Sequence, residues 1–266
     1  MSLKEILVVL DNSPQCASRL ELAVALARQH GACLAGLHVI THPFYEPAHN
    51  DAPCKAEEVR RLFEAMTGSA GIPVKWIGVD WSVVGVAVAE IVNLHAHYVD
   101  LVIVGQDQPR GTDSSIPPGL PERVVMGAGR PVLVVPYTGS HLTISERVMI
   151  SWKGGRESAR AANDALPLLQ YAKDVCVLEL NTESYGNDAG QRLCEHLAAH
   201  GIKAHPKDVA ATDISIGDLL LNRIATEGST LLVMGASAPA RLGTSSLGEV
   251  ARHILKHMTV PVLMSH

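Results

Sequence analysis

Two short polar stretches in this sequence follow apolar runs and stand where a ligand crevice would open. They are Asp11-Asn12-Ser13 after Glu5–Leu10, and Trp152-Lys153-Gly154-Gly155 after Arg147–Ser151. Farther along, Leu101–Gly105 and Leu231–Gly235 each end in a glycine that opens a loop of small and polar residues leading into a helical pattern. Such a loop presents free backbone N–H groups at a helix N-terminus, where a phosphate or carboxylate binds. Asp11 reads either as a ligand contact or as the cap of the first helix, with Ser13 as the alternative cap.

Other chemistries find less support. Thirteen histidines include the pairs His196/His200 and His253/His257, spaced i,i+4 on helical patterns, but no HExxH motif accompanies them. Cys194, Glu195 and His196 are consecutive and cannot converge on one metal, so these histidines, with His95 and His97 near a helix end, read as surface or capping residues and no metal is expected. Gly235-Ala236-Ser237-Ala238-Pro239 matches a GxSxG nucleophile elbow only loosely, and no P-loop motif or SGGxDS-like loop is present. No residue stands out as a catalytic base or nucleophile, so no enzyme is expected. Cys16, Cys33, Cys54, Cys176 and Cys194 are odd in number and lack CxxC spacing, which points to reduced thiols packed as small apolar groups.

The elements that must position these residues come in two copies. Leu101–Gly105 and Pro131-Val132-Leu133 recur 130 residues later as Leu231–Gly235 and Pro261-Val262-Leu263, so glycine and proline stand 26 apart in both copies. Within each copy, strand-sized apolar runs alternate with helical patterns. Strands are expected near Glu5–Leu10, Leu34–Ile40, Val74–Val79, Leu101–Gly105 and Pro131–Pro136, then near Arg147–Ser151, Val175–Leu180, Lys203–Asp208, Thr230–Met234 and Pro261–Met264. Helices are expected near Pro14–His30, Ala52–Thr67, Val83–His95 and Pro121–Gly127, then near Arg156–Tyr171, Asp188–His200, Ile214–Thr226 and Leu247–Met258.

Continuous apolar strands are buried on both faces, as in a parallel sheet covered by helices. The expected fold class is therefore α/β, with two doubly wound, Rossmann-like parallel-sheet domains over residues 1–139 and 140–266, joined near Tyr137–Glu146. The last strand of each copy is expected at a sheet edge, and pairing the two edges would form an intramolecular pseudo-dimer. The proline-rich stretch His42–Pro53, with Phe44 and Tyr45, reads as a flap over the first crevice or as a partner surface.

On these residues the chain resembles a tandem member of the universal stress protein family. Nucleotide-binding members of that family carry G-x2-G-x9-G-(S/T) after strand four, then a helix and a Pro-Val-Leu-Val-Val-like strand, and an aspartate ends their first strand. The resemblance implies Gly235, Ala238 and Gly248 as motif positions in the second copy, with Glu249 where the hydroxyl residue belongs. In the first copy it implies Asp11, Gly105 and Gly119, with Gln108 and Pro118 at the intervening positions. Glu249 brings a carboxylate to the phosphate seat or simply caps a helix. Ser245, with Thr244, Ser246, Arg241 and Lys153, offers compensating donors and charge in the second copy.

The implied function is a non-enzymatic, ligand-sensing stress-response protein with degenerate adenine-nucleotide (ATP) motifs, weak ATP hydrolysis being the family's other possibility. The second copy is the better candidate to hold ATP, a related adenine nucleotide or a small anion, because Gly235 and Gly248 keep the spacing. The alternative is a structural or protein-interaction module with vestigial pockets. A net charge of −5 without a basic run disfavours nucleic acid, and no apolar run is long enough for a membrane span. The apolar start MSLKEILVVLD carries Lys, Glu and Asp and is not read as a signal peptide. Cytoplasmic location and a homodimer or pseudo-dimer are expected.

Overall fold

The computed structural model describes residues 2–41, 52–81, 87–107, 117–139, 143–180, 188–209, 214–236 and 246–266. The chain divides into two compact units, Ser2–Leu142 and Thr143–His266.

In the first unit the order is β1 (Glu5–Leu10), α1 (Cys16–His30), β2 (Cys33–Thr41), α2 (Ala52–Thr67), β3 (Val74–Trp81), α3 (Val88–Ala96), β4 (Leu101–Gly105), α4 (Leu120–Gly127) and β5 (Val132–Val135). The strands lie in the order β3-β2-β1-β4-β5, and the pairings β1–β2, β1–β4, β2–β3 and β4–β5 are all parallel. Ile6 through Leu10, Leu101 through Val104 and Val132 through Val135 are buried, so the central strands are apolar on both faces, as helices on both sides require. Each such side chain contributes about 1.5–3 kcal/mol on burial. Gly31 ends α1 in the left-handed region at φ 64°, and its N–H donates back into the last turn.

The second unit repeats this plan. It runs β6 (Arg147–Trp152), α5 (Arg156–Asp164), α6 (Leu166–Leu169), β7 (Asp174–Leu180), α7 (Ala189–Ala199), β8 (His205–Val209), α8 (Ile216–Glu227), β9 (Leu231–Gly235), α9 (Glu249–His257) and β10 (Val262–Ser265). Its strand order is β10-β9-β6-β7-β8, again with parallel pairings. The single helix expected over Arg156–Tyr171 is broken at Ala165, where Pro167 enters the first turn of α6. Proline has no N–H to continue the ladder and is tolerated only at such a start.

The strand registers align the first strands of the two units. Ile6 pairs with Leu101 and Val148 pairs with Leu231, so Ile6 corresponds to Val148. Counted on by the same shift, Asp11 falls against Lys153, Cys16 against Ser158 and Arg19 against Ala161, although α1 begins two positions later in that count than α5. In each unit the strand order reverses between the first and fourth strands. The crevice of a doubly wound sheet opens there, beyond the carboxyl ends of β1 and β4 and of β6 and β9.

Candidate functional site

In the first crevice the residue that ends β1 is not open to a ligand. Asp11 is 3% exposed and Arg19, on α1, is 2% exposed; an Arg19 Nη donates to Asp11 Oδ2 at 2.7 Å. Arg19 Nε–H donates to the Val9 carbonyl at 2.9 Å, and the second Asp11 oxygen accepts the Ser13 N–H at 2.8 Å. Both carboxylate oxygens are thus engaged inside the fold. Removing one partner of such a buried pair costs about 3–5 kcal/mol, because the other charge is left uncompensated. Asp11 does not cap α1, whose N-cap is Gln15 without a side-chain cap bond.

Around this pair the crevice wall is tight. A Cβ placed on Gly105 would collide with an Arg19 Nη, so the guanidinium fills the space beside the end of β4. Cys16 lies against the same pair, and burial pushes its thiol up although Arg19 opposes the shift. His38 donates from Nδ1 to the Leu10 carbonyl at 2.9 Å, and burial holds its ring below the usual histidine range, so it is neutral near pH 7. Asn12 Oδ1 and Ser13 Oγ are buried and have no hydrogen-bond partner among the described residues.

The anion end of this crevice is engaged as well. Gly119, at φ 80°, precedes α4, and its N–H donates to Asp107 Oδ2 at 2.8 Å. The first turn adds Glu122, and Pro121 contributes no N–H. A phosphate approaching α4 therefore meets two carboxylates and fewer donors than a helix start normally offers.

The second crevice is built differently. Gly154 (φ 70°) and Gly155 (φ 88°) carry the chain from β6 into α5 through backbone that favours glycine. Lys153 is exposed, and its counterpart to Arg19, Ala161, is buried. Here helix backbone makes the contact that a guanidinium makes in the first unit. A Cβ on Gly235 would lie 2.7 Å from the carbonyl carbon of Glu157 and 2.9 Å from the Ser158 nitrogen. Gly248 is the N-cap of α9, at φ −65° and ψ 153°, and its N–H donates to the Ala236 carbonyl at 2.9 Å. Glu249 opens the helix in its first turn.

Trp152 Nε1 and Ser265 Oγ are buried here without hydrogen-bond partners among the described residues, Ser265 lying beside Gly235 in register. Glu179, the counterpart of His38, is buried and accepts the Gly190 N–H at the start of α7 at 2.7 Å.

Of the residues singled out from the sequence, Asp11 and Gly105 converge on Arg19, Gly119 meets Asp107, and Gly235 and Gly248 flank the loop between β9 and α9. Ala238 and Ser245, together with Arg241, Thr244 and Gln108, lie outside the described residues, as does the proposed flap as far as Asp51. Arg19, Asp107 and Glu179 were not legible as site residues. The signal for Arg19 was the internal repeat, which sets a long cation against Ala161 on the buried face of the matching helix.

The histidine pairs are real neighbours, with ring centroids 4.9 Å apart for His196/His200 and 4.7 Å for His253/His257. Among the described residues, however, no three His, Cys, Asp or Glu side chains are placed to hold a metal. Likewise no described helix is long and apolar enough to cross a membrane.

Two parallel, doubly wound units, each with a glycine-bordered crevice at its switch point, define a tandem α/β protein. The chain belongs to the universal stress protein family, whose model, described as Universal stress protein family, matches residues 2–136.

Solved structures extend the likeness in fold to the whole chain. A universal stress protein from Archaeoglobus fulgidus DSM 4304 matches with a TM-score of 0.74 at 15% identity, over 98% of this chain and 95% of that one. A protein of unknown function from Pseudomonas aeruginosa PAO1 gives 0.66 at 15% identity, over 99% and 92%. A universal stress protein in complex with cAMP matches over 47% of this chain and 99% of its own, with a TM-score of 0.36 at 16% identity. A search of curated proteins returned no match.

Proposed function

We propose that this is a non-enzymatic, ligand-sensing stress-response protein in which the second unit holds the ligand, an adenine nucleotide such as ATP or a related small anion. The observation that carries this reading is the difference between the crevices. In the second, the β6 end carries an exposed lysine rather than a carboxylate, with buried Trp152 Nε1 and Ser265 Oγ unpartnered among the described residues, as Asn12 Oδ1 and Ser13 Oγ are in the first. In the first, the carboxylate and the helix N–H are satisfied by the chain itself.

A role without catalysis fits Ser215 and the buried cysteines. Ser215 Oγ–H and His253 both meet Asp218, at 2.6 and 3.0 Å, so histidine is not placed to activate the serine. Burial raises the Cys16 and Cys194 thiols and pushes Cys176 up to about 11, which keeps them protonated near pH 7.

A protein-interaction module with vestigial pockets is the second reading, favoured by the Asp11–Arg19 pair alone. Calorimetric titration with ATP separates the two. Nucleotide sensing predicts heat of binding that Gly248→Val abolishes; the φ of Gly248 suits any residue, so the variant tests access to the α9 start. No heat at ~1 mM ATP with folded protein would favour the module, and unchanged affinity in Gly248→Val would place the ligand elsewhere.

A further inference from the structure

We propose that Arg19 is the specificity-determining residue of the first crevice, and that it withdraws Asp11 from ligand recognition. A free carboxylate at the end of a first strand accepts hydrogen bonds from ribose hydroxyls or an exocyclic amine. Here one Asp11 oxygen takes an Arg19 Nη–H and the other takes the Ser13 N–H, with both side chains 3% exposed. Arg19 is itself fixed by the Val9 carbonyl and wedged beside Gly105.

The second unit supplies the internal comparison. Its matching helix position is Ala161, Lys153 stands at the Asp11 position, and the backbone at Glu157 and Ser158 closes directly on Gly235. The buried pair of cation and carboxylate at these two positions therefore occurs in the first unit, where the second has Ala161 and Lys153. A guanidinium buried beside the crevice does to Asp11 what a bound hydrogen-bond donor would do. The first unit consequently rejects nucleosides that a free Asp11 would take, whether or not the second crevice binds a ligand.

The experiment is calorimetric titration of the full chain with adenosine, which lacks phosphate and so reports on the Asp11 end. Any adenosine held by the second unit contributes equally to every variant. Arg19→Ala, folded by circular dichroism, is expected to bind adenosine about tenfold or more tightly than wild type. Asp11→Asn combined with Arg19→Ala opens the same space without the carboxylate and is expected to return to the wild-type affinity. A folded Arg19→Ala without gain overturns the proposal, and so does an equal gain in the double variant, which would assign the effect to space alone. Should Arg19→Ala not fold, wild type decides by NMR. The Arg19 Nε–H resonance is expected to stay in place under saturating adenosine, and a shift overturns the assignment.

Discussion

Gly105 and Gly235 serve packing as much as any ligand. At Gly235 the neighbours of a would-be Cβ are the backbone of Glu157 and Ser158, which cannot swing aside. Gly235→Ala is therefore expected to destabilise the second unit by about 1–3 kcal/mol in denaturant melts, with or without ligand; an unchanged midpoint would contradict the close approach. Asp107 makes a pH prediction. Desolvation raises its carboxyl, Gly119 N–H opposes that and Glu122 reinforces it. A raised folded value means that the stability this group contributes is present below its ordinary value of 3.8 and is lost as pH rises through the folded value. Asp107→Asn keeps an acceptor for Gly119 and is expected to raise Tm at pH 7, with the gain vanishing at low pH; an equal gain at both would point to a cause other than charge. Such residues were hard to read from sequence. Arg19 in an amphipathic helix looks like a surface residue, because arginine is rarely buried unless paired, and its partner is visible only in three dimensions.

At the level of elements, periodicity carried most of the fold. The strands Glu5–Leu10 and Leu101–Gly105 and the helix Ala52–Thr67 begin and end where their apolar patterns do. The departure at α5 and α6 is local chemistry overriding periodicity, since a proline inside the pattern stops one helix and starts the next. Caps were less legible: α1, α5 and α9 have no side-chain cap, whereas α8 is capped by Ser215, whose Oγ accepts the Asp218 N–H. Ser215→Ala is expected to cost about 1 kcal/mol. Hydrogen exchange should locate that loss in the first turn of α8, next to His253 on α9, and an effect spread evenly over the unit would argue against a local cap.

For the molecule as a whole, the repeat in the sequence is the repeat in the fold, and the family match over residues 2–136 falls on the unit that keeps Asp11. The polar ends of that unit's crevice are nevertheless engaged by Arg19 and Asp107. The second unit keeps the glycine spacing at Gly235 and Gly248 but carries Lys153 and Glu249, and among the described residues both crevices hold buried unpartnered polar atoms, Ser13 Oγ in the first and Trp152 Nε1 and Ser265 Oγ in the second. The glycine spacing favours the second crevice, and so does the engagement of Asp11 and of the Gly119 N–H within the first. What the motif does not register is that the aspartate the first crevice keeps is already occupied by Arg19. The number of ligands per chain tests this account most directly. Titration of wild-type protein with ATP is predicted to give one site per chain, lost in Gly248→Val and retained in Asp11→Asn combined with Arg19→Ala. Two sites per chain, or one site that survives Gly248→Val, would contradict it.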